Sequence, residues 1–439
     1  MAFVLWLLGV FSLTFVGQPA LAKEKLLFLL VDGLRWDRLG YDMPALDTME
    51  QQGVRAEWLD GVFITKSAPS MFSIATGLYI ENHGVVHNLA FNPSTGDISD
   101  GWSETLNTTW WFNWAGEPLW ITAMSQGLKA GSFMYPGGQT PINGTYPDRF
   151  IGYTSETYEK YLYLPDRADI VFDWLYMDGL DVVFLYVGKL DDELHNTGIG
   201  EEAGNVADEV NELVSYILEK MQEISIRDSL NFIIASDHGM ADISNDKALS
   251  LFDYIDESLV ELVISDGGSV FQILPVDGAL EEVYSKLISA NPSINVFKKE
   301  DFPSMFHYAD NPRNLPIIGY MDIGWTMYKR VNQSEVIYKG GHGYDNRDMT
   351  MKTSFYAQGP SFRQGYLAKH FESVNIYPLM CELLGIVPAP NNGSRDNYKD
   401  MLVSEHPPTS PPDCGASALC SQCRFILLTF VVAALIQNS

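Results

Sequence analysis

The chain has 439 residues, of which 46% are hydrophobic, 13% aromatic and 19% charged, enough for two or three globular domains at roughly 100–200 residues each and far too apolar for a disordered chain. Against 28 Lys and Arg stand 56 Asp and Glu, a formal net charge of −28, which argues against polymeric nucleic acid and anionic lipid surfaces as partners, since both call for clustered cations. An anionic substrate on so acidic a molecule needs a local reversal of charge, and bound metal cations are the device for it.

The chain opens with an apolar run, Phe3 to Val16, followed by Ala20-Leu21-Ala22. A small-x-small triplet after such a run reads as a signal peptide over 1–22, although no Lys or Arg precedes it. Asn-x-Ser/Thr triplets at Asn107, Asn143, Asn332 and Asn392 fit a glycosylated, secreted chain. Lys25 to Val31 is a buried strand ending at Asp32-Gly33; Asp181 to Val187 leads into Lys189-Leu190-Asp191; Asn231 to Ala235 leads into Ser236-Asp237-His238-Gly239. Continuous apolar runs of this length are strands covered on both faces, as in parallel sheets. Between the last two lies a helix with Val206, Val210, Leu213, Val214, Ile217, Leu218, Met221 and Ile224 on one face. This alternation predicts an open α/β sheet, mostly parallel and flanked by helices, with its site at the carboxyl ends of the strands.

From about Asp253 to Arg330 the rhythm lapses, with a strand at Ser269 to Leu274, a helix at Leu280 to Ile288 and proline-rich loops. We read 253–330 as an inserted cap subdomain within a catalytic domain spanning 23–404, the sheet resuming at Thr353 to Ala357. The Pro-rich stretch 405–415 is a stalk. After it come Gly415, Ala416 and Ser417, a polar spacer, and twelve apolar residues from Phe425 to Ile436. As a helix that run spans about 18 Å, short of the roughly 30 Å of a bilayer core. The pattern is that of a glycolipid (GPI) anchor signal, removed over 416–439; the alternative is a short stop-transfer helix. Either way the protein belongs at the outer face of the cell membrane. Of the four cysteines, Cys414, Cys420 and Cys423 lie in or beside this tail, which makes a zinc or redox role for the lone Cys420-x-x-Cys423 improbable.

The chemistry concentrates at the strand ends. Asp191 and His195 are four apart, so a helical turn lets them share one ion. Asp237 and His238 are adjacent where a strand turns, Asp32 ends the first strand, and His342 stands between glycines that allow close backbone approach. Imidazole nitrogen with carboxylate oxygen is the donor set of catalytic zinc, and two such ions about 4 Å apart clamp an in-line displacement at phosphorus. Ser67, in Lys66-Ser67-Ala68-Pro69-Ser70, is the candidate nucleophile, because direct metal coordination can activate a weak hydroxyl.

Several stretches together carry a resemblance. Asp32-Gly33, Lys66-Ser67-Ala68-Pro69, Ala75-Thr76-Gly77-Leu78-Tyr79 through Glu81-Asn82-His83-Gly84 to Asn88, Asp191-x-x-x-His195, Ser236-Asp237-His238-Gly239-Met240 and Gly341-His342-Gly343-Tyr344-Asp345-Asn346 occur in order. They resemble the nucleotide pyrophosphatase/phosphodiesterase family of the alkaline phosphatase superfamily, from about Lys25 to Asn392. The resemblance implies the alkaline phosphatase fold and two Zn2+ ions, one held by Asp191, His195 and His342, the other by Asp32, Ser67, Asp237 and His238. It implies a covalent phosphoryl-Ser67 intermediate, with Asn88 hydrogen-bonding a phosphate oxygen and Tyr153 placed to stack on a nucleobase. The sequence departs from the family at the nucleophile, Ser67 for the usual Thr, at Ala68 for an aromatic residue, and at Ser70-Met71 for Asn-His. A sulfatase is excluded because Met71 stands where its modification motif needs Arg. The substrate expected is an extracellular nucleotide phosphodiester or pyrophosphate; the alternatives are a choline-type glycerophosphodiester, which needs an aromatic and acidic cage, and an inactive recognition ectodomain.

Overall fold

The structure, a computed structural model, describes residues 24–403 apart from 224, 225, 227 and 332–337. The expected signal peptide, stalk and anchor signal, Ile224, the Asn332 triplet and Cys414, Cys420 and Cys423 lie outside the described residues. The described chain builds an eight-stranded sheet in the spatial order Tyr366–Ala368, Val54–Ala56, Phe355–Gln358, Leu230–Ala235, Lys25–Val31, Val182–Val187, Ala130–Phe133, Arg149–Ile151. Phe355–Gln358 runs antiparallel to both its neighbours, and the other pairings are parallel. The three apolar runs are its central strands, and nearly every residue in them is buried.

Two groups of helices flank the sheet. Ile376–Leu384 lies against the first strand and against the helices Ser67–Thr76 and Leu119–Ser125, while Glu201–Met221 packs on Pro44–Gln52, Leu164–Tyr176 and Lys189–Thr197. The long helix buries Val206, Val210, Leu213, Val214, Ile217, Leu218 and Met221, the face its 3.6-residue periodicity marks out. Cys381 is buried on Ile376–Leu384, and burial pushes its thiol up to about 12.

Where the alternation lapses, the chain forms a separate four-stranded antiparallel sheet: Val260–Ile264, Val270–Pro275, Ile317–Met321 and Ile294–Lys298 in spatial order. Helix Leu280–Ile288 covers it through Val283 and Leu287, part of a hydrophobic cluster distinct from that of the large sheet. Only Val270–Pro275 of its strands was legible in the sequence. The other three mix exposed or half-buried positions with buried ones or carry a glycine, so they lack the unbroken apolar run that marks a central parallel strand.

Candidate metal centre and nucleophile

The central parallel strands end in register, Val31 beside Val187 and Leu30 beside Ala235. Whatever follows each strand is therefore delivered to one edge of the sheet. Asp32 follows the first, helix Lys189–Thr197 follows Val182–Val187, and Asp237-His238 follows Leu230–Ala235. Gly33 turns the chain at φ +73, and a Cβ there would stand 3.3 Å from that of Asp191, so glycine both makes the turn and leaves room for the carboxylate. One helical turn brings His195 Nε2 to 3.4 Å from Asp191 Oδ2. His342 arrives from outside the large sheet, and its ring stacks on that of His238 with centroids 3.4 Å apart.

The protonation of these rings follows from their backbone partners. Nδ1 of His238 is 2.9 Å from Gly239 O, Nδ1 of His195 is 2.8 Å from Gly340 O, and Nδ1 of His342 is 2.8 Å from Thr65 O. A carbonyl only accepts, so each Nδ1 carries a proton and each Nε2 is left facing the site, able to take a proton or a metal ion. Those Nε2 atoms converge. His342 Nε2 and His195 Nε2 are 3.1 Å apart, and His238 Nε2 lies 3.1 Å from Asp32 Oδ1, 3.3 Å from Asp237 Oδ2 and 3.1 Å from Ser67 Oγ. Asp32 Oδ1, Asp191 Oδ1 and Asp237 Oδ2 are buried and lack a hydrogen-bond donor. Leaving one buried acceptor unmet costs about 1–3 kcal/mol, more when it is charged, so three carboxylate oxygens facing three imidazole Nε2 atoms make a site suited to a cation.

Without a metal the Nε2 of His238 takes a proton: burial alone would lower His238, but the carboxylates of Asp237, Asp32 and Asp191 raise it to about 10. Burial raises Asp32 and Asp237, and would raise Asp191 too, but His195, His342 and His238 hold Asp191 below the carboxylate range. The cluster draws in positive charge, which divalent cations supply. Two donor sets have ligand atoms within 4.8 Å of one another: Asp191, His195 and His342, and Asp32, Asp191 and His238. The first is the set expected for one ion. The second shares Asp191 and leaves Asp237 and Ser67 at its margin, both within 3.3 Å of His238 Nε2. Nitrogen with carboxylate oxygen fits zinc.

Ser67 opens helix Ser67–Thr76, so its hydroxyl lies at the positive end of the helix dipole. Asn88 Oδ1 accepts from Ala68 N at 2.9 Å, which turns Asn88 Nδ2 toward Ser67 Oγ, 3.5 Å away. Ser67's two predecessors serve the site as well. Thr65 orients His342 through its carbonyl, and its hydroxyl accepts from Gly343 N at 2.9 Å. Lys66 pairs with Asp266 at 2.8 Å, and although burial would raise Asp266, this ammonium holds it well below the carboxylate range. Gly343 is at φ +99, and a side chain there would collide with Ser269 and Lys66, which accounts for glycine after His342. Tyr186, near the end of Val182–Val187, donates to Asp32 Oδ2 at 2.7 Å.

A cavity of about 330 Å³ opens over Asp32, Ser67, Asn88, Asp191, His195 and His342, and Tyr153 lines it as expected. Ala68 does not. It is fully buried, so it is not part of the cavity wall. The wall is made instead by Leu89, Trp102, Tyr153, Tyr186 and Tyr338, with Asp192 among them. Asp192 is exposed, and its Oδ2 accepts from Tyr158 OH at 2.7 Å. Thr65, Lys66, Trp102, Tyr186 and Asp266 escaped the sequence reading; a lone tyrosine near the end of an otherwise apolar strand was a usable signal for Tyr186, whereas nothing local marks Trp102 or Asp266. Asn107, Asn143 and Asn392 are exposed, although Asn107 Nδ2 donates to Ser103 O at 2.7 Å.

Comparison with known proteins shows the family of the chain. Residues 26–345 match the family described as type I phosphodiesterase / nucleotide pyrophosphatase. The chain is 40% identical over 400 residues to mouse ectonucleotide pyrophosphatase/phosphodiesterase family member 7, covering 88% of this chain and 89% of that protein. It is 37% identical over 391 residues to mouse bis(5'-adenosyl)-triphosphatase enpp4, covering 88% and 82%. Its fold matches the solved structure of an inactive variant of murine ectonucleotide pyrophosphatase/phosphodiesterase 5 in complex with AMP, with a TM-score of 0.79 and 32% identity over 86% of this chain and 100% of that one. The architecture is thus the alkaline-phosphatase-like sheet flanked by helices.

Proposed function

The chain belongs to the type I phosphodiesterase / nucleotide pyrophosphatase family, and we propose that it is a two-zinc, cell-surface hydrolase of extracellular nucleotide phosphodiester or pyrophosphate bonds, with Ser67 as nucleophile. The observation that carries this reading is the gathering at one sheet edge of imidazole Nε2 atoms and unsatisfied carboxylate oxygens, with Ser67 Oγ 3.1 Å from His238 Nε2. Asp191, His195 and His342 would hold one zinc; Asp32, Asp237, His238 and Ser67 the other. Bound zinc supplies Lewis acidity, lowering the pKa of the serine hydroxyl and offsetting charge on the phosphoryl oxygens. Ser67 Oγ, its proton given up to solvent, would attack phosphorus in line, forming an Oγ–P bond as the opposite ester bond breaks and the leaving oxygen departs, protonated from solvent. Asn88 Nδ2 donates to an equatorial oxygen as charge builds there, and Tyr153 holds the non-reacting group. Water then cleaves the phosphoryl-Ser67 ester and restores the hydroxyl.

The nucleotide preference draws support from two relatives: one is named for a bis-adenosyl triphosphate and one was solved with AMP. One observation favours a second reading, a choline-type glycerophosphodiester: the exposed Asp192 lines the cavity beside Trp102 and Tyr153, an acid-and-aromatic setting suited to a quaternary ammonium group. The complete donor set speaks against an inactive recognition ectodomain. We further propose that a glycolipid anchor holds the protein at the outer cell surface and that Asn107, Asn143, Asn332 and Asn392 carry glycans; among the described residues no helix is long and apolar enough to cross a membrane.

The test is to assay the purified ectodomain on a thymidine 5'-phosphate aryl ester and on glycerophosphocholine, with and without chelator. The reading predicts chelator-sensitive turnover that favours the nucleoside ester. Faster turnover of the choline ester at equal concentration would replace the substrate assignment, and turnover of neither would remove it.

A further inference from the structure

Resting on the nucleotide reading above, we propose that Trp102 is a specificity-determining residue, the second aromatic surface of the slot in which Tyr153 receives the base. Ala68 cannot serve, since it is fully buried. Trp102 and Tyr153 line the same cavity as Ser67 and Asn88, and both side chains are half-buried against the same hydrophobic cluster. A flat, polarisable base between two rings is the arrangement that base–aromatic stacking rewards, without regard to which base it is.

The indole is held in register with the phosphate-binding group. Gly101, also on the cavity wall, takes φ +97 to launch the helix Trp102–Asn107. Thr105 returns to Gly101 O through its backbone N–H and its hydroxyl, both at 3.1 Å. Ala90 N donates to Ser99 Oγ at 2.9 Å, Ser99 N donates to Ala90 O at 2.8 Å, and the Ser99 and Thr105 hydroxyls are 2.6 Å apart. Two residues before Ala90 stands Asn88, tied to the N–H that follows the nucleophile. One hydrogen-bonded ribbon therefore carries both the aromatic wall and the phosphate donor, fixing the distance between base and phosphorus.

The experiment measures AMP binding by titration calorimetry to the zinc-supplemented Ser67→Ala protein, alone and combined with Trp102→Ala or Trp102→Phe, with inorganic phosphate as the second probe. Loss of one stacking face should weaken AMP about tenfold or more in the alanine variant, within a few-fold in the phenylalanine variant, and leave phosphate binding within about twofold. AMP binding indifferent to Trp102→Ala would overturn the inference and leave the nucleotide reading standing. A parallel loss of phosphate binding that persists in Trp102→Phe would also overturn it, assigning Trp102 to the ribbon's packing. If the parent Ser67→Ala protein binds phosphate but not AMP, the nucleotide reading falls and takes this inference with it.

Discussion

Thr65, Lys66 and Ser67 are consecutive and face three different partners: the ring of His342, the carboxylate of Asp266, and the lone pair of His238. Such dense use of one stretch makes single substitutions informative. Ser67→Ala should lower kcat by at least ~10³-fold while zinc content stays near the parent value, because Asp32, Asp237 and His238 remain; Ser67→Thr keeps the hydroxyl and should retain measurable turnover. An alanine variant with parental turnover would end the covalent mechanism. Tyr186→Phe removes the only O–H that the structure directs at Asp32 Oδ2 among the described residues. Groups that orient metal ligands are worth about 10–100-fold in metal affinity, so competition with a chromophoric chelator should show a loss of that size, with the fold intact. Asp32, Asp191, Asp237 and His238, which the structure brings together, could be named from the sequence because motif and strand end coincide. Lys66 and Asp266 could not be paired from it, because they lie 200 positions apart and an ion pair leaves no periodicity.

At the level of elements, the turn that carries Asn88 contains two buried histidines. His83 donates from Nε2 to Ser73 Oγ, 2.8 Å away, and its Nδ1 accepts from Val85 N at 3.1 Å. His87 Nδ1 accepts from Leu89 N at 3.0 Å, and its Nε2 has no hydrogen-bond partner. Burial lowers both from 6.5, His83 to about 3 and His87 to about 4. Because the folded values lie below the unfolded one, the unfolded chain takes up protons first, and stability falls as pH drops below about 6.5, the contribution of His87 levelling off near 4 and that of His83 near 3. His87→Asn keeps an acceptor for Leu89 N and removes the titration. In chelator-treated protein the stability gap between parent and variant should shift in the variant's favour by about 3 kcal/mol across that window, read from urea midpoints; a gap independent of pH would contradict it. Elements were legible where the apolar pattern is unbroken. The three central strands announce themselves as unbroken apolar runs and the long helix by its stripe, whereas in the antiparallel sheet two strands mix exposed or half-buried positions with buried ones and a third, buried throughout, is interrupted by Gly319.

On the scale of the whole molecule, a formal charge of −28 surrounds a site meant for anions, so the positive charge must be brought in by ions rather than by the chain. The same acidity argues against direct binding to anionic lipid, and the proposed glycolipid anchor would supply the tie to the membrane. Phosphatidylinositol-specific phospholipase C should therefore release the full-length protein from the cell surface; retention together with an epitope placed beyond Phe425 would favour a spanning tail instead. The central claim is that paired cations complete the site, and metal stoichiometry measured on the same preparation as turnover tests it most directly. The account predicts about two zinc ions per chain by elemental analysis, turnover that disappears as chelator removes them, and recovery on adding zinc back. Full turnover by protein shown to be free of metal would contradict it.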